Sequence, residues 1–234
     1  MFADLSEKRL KSECDHLAEH ENARLFVGDL REKLNIANLL SATLDAFDRV
    51  DILINAARMF TTTDPLDPND TSVENALSQN LNVALRLSQA VARRMIVQAE
   101  NDPEKSTDAG TIVNLSSLAA NRTQPELLAF SISNAALEQM TRSLAVSLAQ
   151  HHIRVNAIAV GSVMSGSLRD VIADHPEYRD AIKDGTPLRR IGTANEVAEA
   201  AQFLASSASS FITGQIIGLD GGRSVLDTVQ RPAH

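Results

Sequence analysis

Short apolar runs rich in β-branched residues alternate along the chain with longer segments of helical periodicity. The runs "ARLFVGDL" (23–30), "VDILINAA" (50–57), "GTIVNLSS" (110–117), "IRVNAIAVG" (153–161) and "GQIIGLDGG" (214–222) read as strands. Their hydrophobicity is continuous rather than alternating, which predicts strands covered on both faces and therefore a parallel sheet. Helical patterns fill the intervals at about 5–21, 31–48, 70–99, 125–151 and 193–206. The last of these opens on Thr193 with Glu196 three residues on, the pairing of a capping box ahead of "VAEAAQFLA". Strand and helix in alternation predict a doubly wound α/β fold, one domain over residues 1–234.

Two stretches depart from this rhythm. Residues 99–110, "AENDPEKSTDAG", form a polar loop. Residues 165–192 are long, charged and placed between a strand and a helix. A segment leaving the carboxyl end of a strand in such a fold is expected to act as a lid over a crevice.

Composition narrows the function classes. The 234 residues are 44% hydrophobic and 22% charged, ordinary for one globular α/β domain. A net charge of -8 argues against a nucleic-acid or anionic-membrane partner. Cys14 stands alone, which excludes an internal disulfide and fits a reducing, cytoplasmic setting. No apolar run approaches the roughly 18 residues of a membrane span.

These pieces, in this order, resemble the short-chain dehydrogenase/reductase family from about residue 4 to residue 222. The closing stretch "PLRRIGTANEVAEAAQFLASSASSFITGQIIGLDGG" (187–222) is the most specific part, with "GTIVNLSS", "IRVNAIAVG" and "DILINAA" in support. The resemblance implies a Rossmann-type sheet, NAD(H) or NADP(H) in a crevice at its carboxyl edge, and a catalytic Asn–Ser–Tyr–Lys set. On this chain the asparagine falls at Asn80 and the serine at Ser117. The tyrosine position holds Phe130 and the lysine position holds Asn134. Neither can donate or accept a proton in acid–base work. Tyr178, in the lid-like segment, is the sole tyrosine and has no lysine four residues on.

The cofactor positions also depart. No G-x-x-x-G-x-G occurs, so the family's first strand, glycine loop and first helix are expected to be absent, and "MFADLSEKRL" aligns with the end of its second strand. Asp29 keeps the slot of an adenine-contacting aspartate, or caps the following helix. Asn55 begins a segment in which Arg58 stands where the family has glycine, and Val160 replaces a proline.

The expectation from these residues is a truncated Rossmann-type sheet of about six strands that binds no cofactor. Its function is expected to be that of a non-catalytic subunit supporting an active NAD(P)-dependent family member in a heterotetramer, for example one acting on a hydroxyacyl-CoA or similar alcohol or ketone. Helices 70–99 and 125–151 and the 203–222 strip would form the contacts. Two alternatives stay open: a ligand-binding or regulatory protein using the crevice, and an oxidoreductase with rebuilt chemistry drawing on His151, His152 or His175.

Overall fold

A computed structural model of the chain describes all residues except 15, 16, 18, 19, 21, 103–107, 228 and 230–234. Its strands are β1 (Phe2–Asp4), β2 (Leu25–Val27), β3 (Ile52–Asn55), β4 (Gly110–Ser117), β5 (Ile153–Val160) and β6 (Ile216–Leu219). Its helices are α1 (Glu7–Cys14), α2 (Lys33–Phe47), α3 (Ser72–Ala76), α4 (Val83–Glu100), α5 (Leu128–Leu148), α6 (Gly166–Asp174), α7 (Glu177–Asp184) and α8 (Ala194–Ala205). Every strand pair is parallel, as continuous hydrophobicity predicts. The six strands do not make one sheet. They divide into a pair, β1-β2, and a four-stranded sheet in the order β3-β4-β5-β6.

β4 and β5 are the centre of the fold. They pair along their whole length, from Gly110 opposite Ile153 to Ser117 opposite Val160. Every residue of β5 is buried. On one face Ile112, Ile153 and Val155 pack with Ile36 and Leu39 of α2 and Leu87, Val91 and Met95 of α4. On the other, Val113, Ile158 and Val160 pack with Ala201 and Leu204 of α8. Helices therefore cover both faces, the arrangement a doubly wound fold requires.

The sequence pattern over 70–99 predicts one helix, and the chain instead passes through a π-helical turn at Leu77–Asn82 between α3 and α4. That wider turn rotates Asn80 into the interior. Short 3₁₀ turns flank α5 at Pro125–Leu127 and Ala149–His151, and His152 closes it in the left-handed conformation at φ 57°. Of the expected helix over 5–21, α1 accounts for Glu7–Cys14, and most of the remainder lies outside the described residues. So does the middle of the 99–110 loop. Residues 165–192 carry α6 and α7.

At α8 the capping box forms as the sequence predicts: Glu196 N donates to Thr193 Oγ1, and Thr193 N donates to the Glu196 carboxylate. Arg190 adds an ion pair to the same carboxylate. Together, the Arg190 hydrogen bond first and the Thr193 amide next, they lower the Glu196 pKa from 4.5 to about 2. A carboxyl depressed on folding contributes its stability above its unfolded pKa and loses it as pH falls through the folded value. Anchoring of the α8 start should therefore be complete above about pH 4.5 and lost towards pH 2. The group is exposed, so the effect is local and modest. Titration of the Glu196 side-chain carbon by NMR checks it; a midpoint near 4.5 would show that the cap does not persist in solution.

Candidate functional site

The carboxyl end of β4 presents two adjacent serines to opposite faces, because side chains alternate along a strand. Ser116 turns toward α5, where its hydroxyl donates to Glu138 Oε1 at 2.9 Å. Glu138 is buried, and its other oxygen accepts from Asn121 Nδ2 at 3.2 Å with Arg142 at 3.8 Å. Ser117 turns the other way. Its Oγ accepts from the Ala119 amide at 3.2 Å, which starts a 3₁₀ turn over Leu118–Ala120. Acceptance leaves the Ser117 O–H free to donate to a ligand.

Asn80 is fully engaged from its π turn. Its Oδ1 accepts from Met59 N at 2.6 Å, while Nδ2 donates to Met59 O and to Ser133 Oγ, both at 3.0 Å. Ser133 in turn donates to Phe130 O. This chain of bonds pins the segment after β3 against the first turns of α5. Phe130 lies there, buried, with the exposed Phe60 ring edge-on to it at 5.2 Å between centroids. Asn134 is 2% exposed, and its Nδ2 donates to Phe130 O at 2.8 Å. The structure thus joins Asn80 to Phe130 through Ser133, and Asn134 to both through the Phe130 carbonyl, with Ser117 at the end of β4.

The three other sequence-selected residues lie apart from this cluster. Asn55 ends β3, and its Nδ2 donates to Ser88 Oγ at 3.1 Å and to Asn114 Oδ1 at 2.8 Å. Asn114 passes the connection on to Thr141 of α5. Asp29, beyond β2, is gripped by Arg31, whose guanidinium holds the Asp29 carboxyl below the usual carboxylate range. Arg58 has an exposed side chain, yet nearby protein lowers its pKa by desolvation. The exposure decides, and the guanidinium remains charged.

Sequence reasoning missed Asn114, Ser133, Glu138 and Thr141. Their signal was polar side chains inside otherwise apolar runs, which a buried strand or helix tolerates when each group is bonded. A separate cavity of ≈ 410 Å³ lies between the ends of β5 and β6 and residues 187–192, lined by Ser162, Arg190 and Gly218–Gly222 among others. It includes none of Asn80, Ser117, Phe130 or Asn134. Among the described residues no group of three His, Cys, Asp or Glu could hold a metal ion, and no helix is long and apolar enough to cross a membrane.

A parallel sheet between helical layers, with a polar cluster at the carboxyl end of its central strand, defines the Rossmann class of α/β proteins. The chain belongs to the short-chain dehydrogenase/reductase family: residues 1–224 match the family model described as enoyl-(acyl carrier protein) reductase. It is 30% identical over 194 residues to 7alpha-hydroxysteroid dehydrogenase of Escherichia coli K12, covering 83% of this chain and 71% of that one. It is 34% identical over 188 residues to galactitol 2-dehydrogenase (L-tagatose-forming) of Cereibacter sphaeroides, covering 79% and 70%. Among solved structures it is similar to a gluconate 5-dehydrogenase from Burkholderia cenocepacia in complex with NADP and tartrate, at 25% identity and a TM-score of 0.82, covering 97% of this chain and 85% of that one.

These findings correct the functional expectation. A non-catalytic subunit supporting an active partner in a heterotetramer is overturned by the relatives, which are named dehydrogenases and are similar over most of the chain. That expectation gave decisive weight to Phe130, Asn134 and a missing glycine turn. The fold and the extent of similarity outweigh it.

Proposed function

We propose that this chain is an oxidoreductase acting at a secondary alcohol, or the corresponding ketone, of a small hydroxylated compound. The observation that carries this reading is Ser117: a hydroxyl at the carboxyl end of a buried strand, held by the Ala119 amide with its own proton free. The named dehydrogenase relatives, which act on a polyol and a hydroxysteroid by their names, support it.

Ser117 Oγ donates to the substrate oxygen and orients the carbon that bears it. Phe60 and Phe130 supply an apolar wall that excludes water from one side. Since Phe130 carries no proton, the proton exchanged with the substrate oxygen passes through the Ser117 hydroxyl from solvent water. The α6–α7 segment is assigned as the lid, and the exposed Val146, Phe203 and Phe211 as contacts between copies of the chain.

Such chemistry draws its hydride from a nicotinamide dinucleotide. The described residues do not by themselves fit that group. The Asn134 amide is buried and spent on Phe130 O, and the Asp29 carboxylate is clamped by Arg31. The 234 residues contain no G-x-x-x-G-x-G to cradle a pyrophosphate. The departures at Phe130, Asn134 and Arg58 mark the chain as divergent within its family.

The test is turnover by the purified chain with NAD and NADP against galactitol, gluconate and a 7α-hydroxysteroid. Activity on at least one is expected, falling about 10-fold or more in Ser117→Ala, in line with loss of one positioned hydrogen-bond donor. No turnover with any pair, or a Ser117→Ala variant as active as the parent, sinks the reading.

A further inference from the structure

Ser117 does not by itself keep its hydroxyl aimed. Its Oγ accepts one bond, from the Ala119 amide of the turn that follows, and that turn spans only Leu118–Ala120. Asn121 N and Arg122 N donate back to Leu118 O at 3.0 and 2.9 Å, bonds that shape the turn from within. Leu118 and Ala119 are buried. Apolar burial is non-directional, so it sets the depth of the turn and not the direction of a hydroxyl.

A directional anchor comes from α5. Phe130, Asn134 and Glu138 recur there at four-residue intervals and so lie along one side of the helix. Glu138 is 3% exposed, and its two oxygens are divided between the two ends of the turn. Oε1 accepts from the hydroxyl of Ser116, the residue before Ser117, at 2.9 Å. Oε2 accepts from the side-chain amide of Asn121, the residue after Ala120, at 3.2 Å. Arg142, 3.8 Å from Oε2, is a half-exposed counter-ion. Bonds to a charged acceptor are roughly twice as strong as neutral ones. On the solvent side Arg122 adds a tie from the same end of the turn to Ser224 O.

We infer that Glu138 is the positioning residue of this site: its buried carboxylate, bonded to Ser116 and Asn121 together, fixes the turn that aims the Ser117 hydroxyl. The inference rests on the reading of Ser117 as the group that donates to the substrate oxygen. Glu138 reaches no reacting atom from its place behind β4, and it acts through Ser117. Ser116 and Ser117 project to opposite faces of the strand and share one planar peptide. Holding the first therefore sets the orientation from which the second leaves, and holding Asn121 sets where the Ala119 amide meets it.

The experiment removes the outer half of this tie. Asn121 is exposed, so Asn121→Ala leaves the core untouched. Exchange of the Ala119 amide, read by NMR, should quicken about 10-fold. With the most active substrate of those named above, kcat should fall about 10-fold while KM changes less than about 3-fold. In a Ser117→Ala background the same change should cost no further kcat, because the group it positions is gone. Asn121→Asp sets a second carboxylate against Glu138 and should also quicken exchange. Adding Glu138→Gln, whose amide donates to the new carboxylate and still accepts from Ser116, should bring exchange back to within about 3-fold of the parent. Unchanged Ala119 exchange in Asn121→Ala, or no recovery in the paired variant, overturns the inference. So does an equal fall in kcat with and without Ser117, which mere loss of folded protein would give. A parent without turnover sinks the enzymatic reading instead, and the exchange rates then decide by themselves whether Glu138 holds the turn.

Discussion

Arg154→Leu should destabilise the fold by about 2–4 kcal/mol, the scale of losing several hydrogen bonds from one buried charged donor. Arg154 lies in β5, buried, and its guanidinium reaches across to the end of α8. Nη1 donates to Leu204 O, Ser209 O and Ser209 Oγ at 3.0, 3.1 and 2.7 Å, and Nη2 donates to Ser206 O at 3.3 Å. Asp108 sits 3.6 Å away as a half-exposed counter-ion. These bonds close the carboxyl terminus of α8, where helical carbonyls otherwise lack partners. A leucine matches the apolar part of the stem but removes the charged donor from three carbonyls, leaving Leu204 O and Ser206 O to Ser209 Oγ and Ser209 O to the Ile212 amide. Thermal denaturation should show a midpoint lower by about 10 °C, given the usual 2–4 °C per kcal/mol at this size. A change under about 1 kcal/mol would mean that the remaining donors, Ser209 Oγ and the Ile212 amide, satisfy those carbonyls by themselves.

Asn80→Ala should produce the second large effect, and it reports on the site. The side chain makes three hydrogen bonds, two of them closing a ring with the backbone of Met59. Each stranded buried polar group costs about 1–3 kcal/mol, with partial relaxation, so a loss of about 2–4 kcal/mol is expected. The segment from Arg58 to Thr63 should also come loose from α5, carrying Phe60 away from Phe130. Displacement of a positioning segment by even 1 Å costs about 100-fold in turnover. The checks are a thermal midpoint and the exchange rate of the Met59 amide, which should rise well beyond those of the α5 amides. Asn80→Asp keeps the acceptor for Met59 N but not the two donations, so it should fall between the parent and Asn80→Ala. An Asn80→Ala chain with unchanged Met59 protection would remove Asn80 from any positioning role.

How far the sequence could be read depended on the range of the interactions involved. The start of α8 was legible because Thr193 and Glu196 satisfy each other within one turn. The bounds of β4 were legible because its residues are buried on both faces and flanked by polar chain. The π turn at Leu77–Asn82 was not, since it exists through the bonds from Asn80 to Met59 and Ser133, which local periodicity does not encode. Nor was the division of the sheet, which depends on which strands meet. At the site, spacing located Ser117 and the Phe130–Asn134 pair, and both lie beside the end of the central strand. Their meaning was overread: two substitutions were set against a likeness running over nearly the whole chain. The polar ladder of Asn55, Asn114 and Thr141 was overlooked because its members come from three distant segments.

The order β3-β4-β5-β6 also has a consequence for biosynthesis. β5 is complete at Val160, but the neighbour on its outer side, β6, begins only at Ile216. At about 5–20 residues per second, a ribosome leaves that edge unpaired for several seconds. During this time Ile158 and Val160, which end fully or nearly fully buried, have neither β6 nor α8 over them. Nascent chains of this protein should therefore expose that apolar edge until their last strand emerges, and a stop codon anywhere between α8 and β6 should yield inclusion bodies rather than a smaller soluble domain.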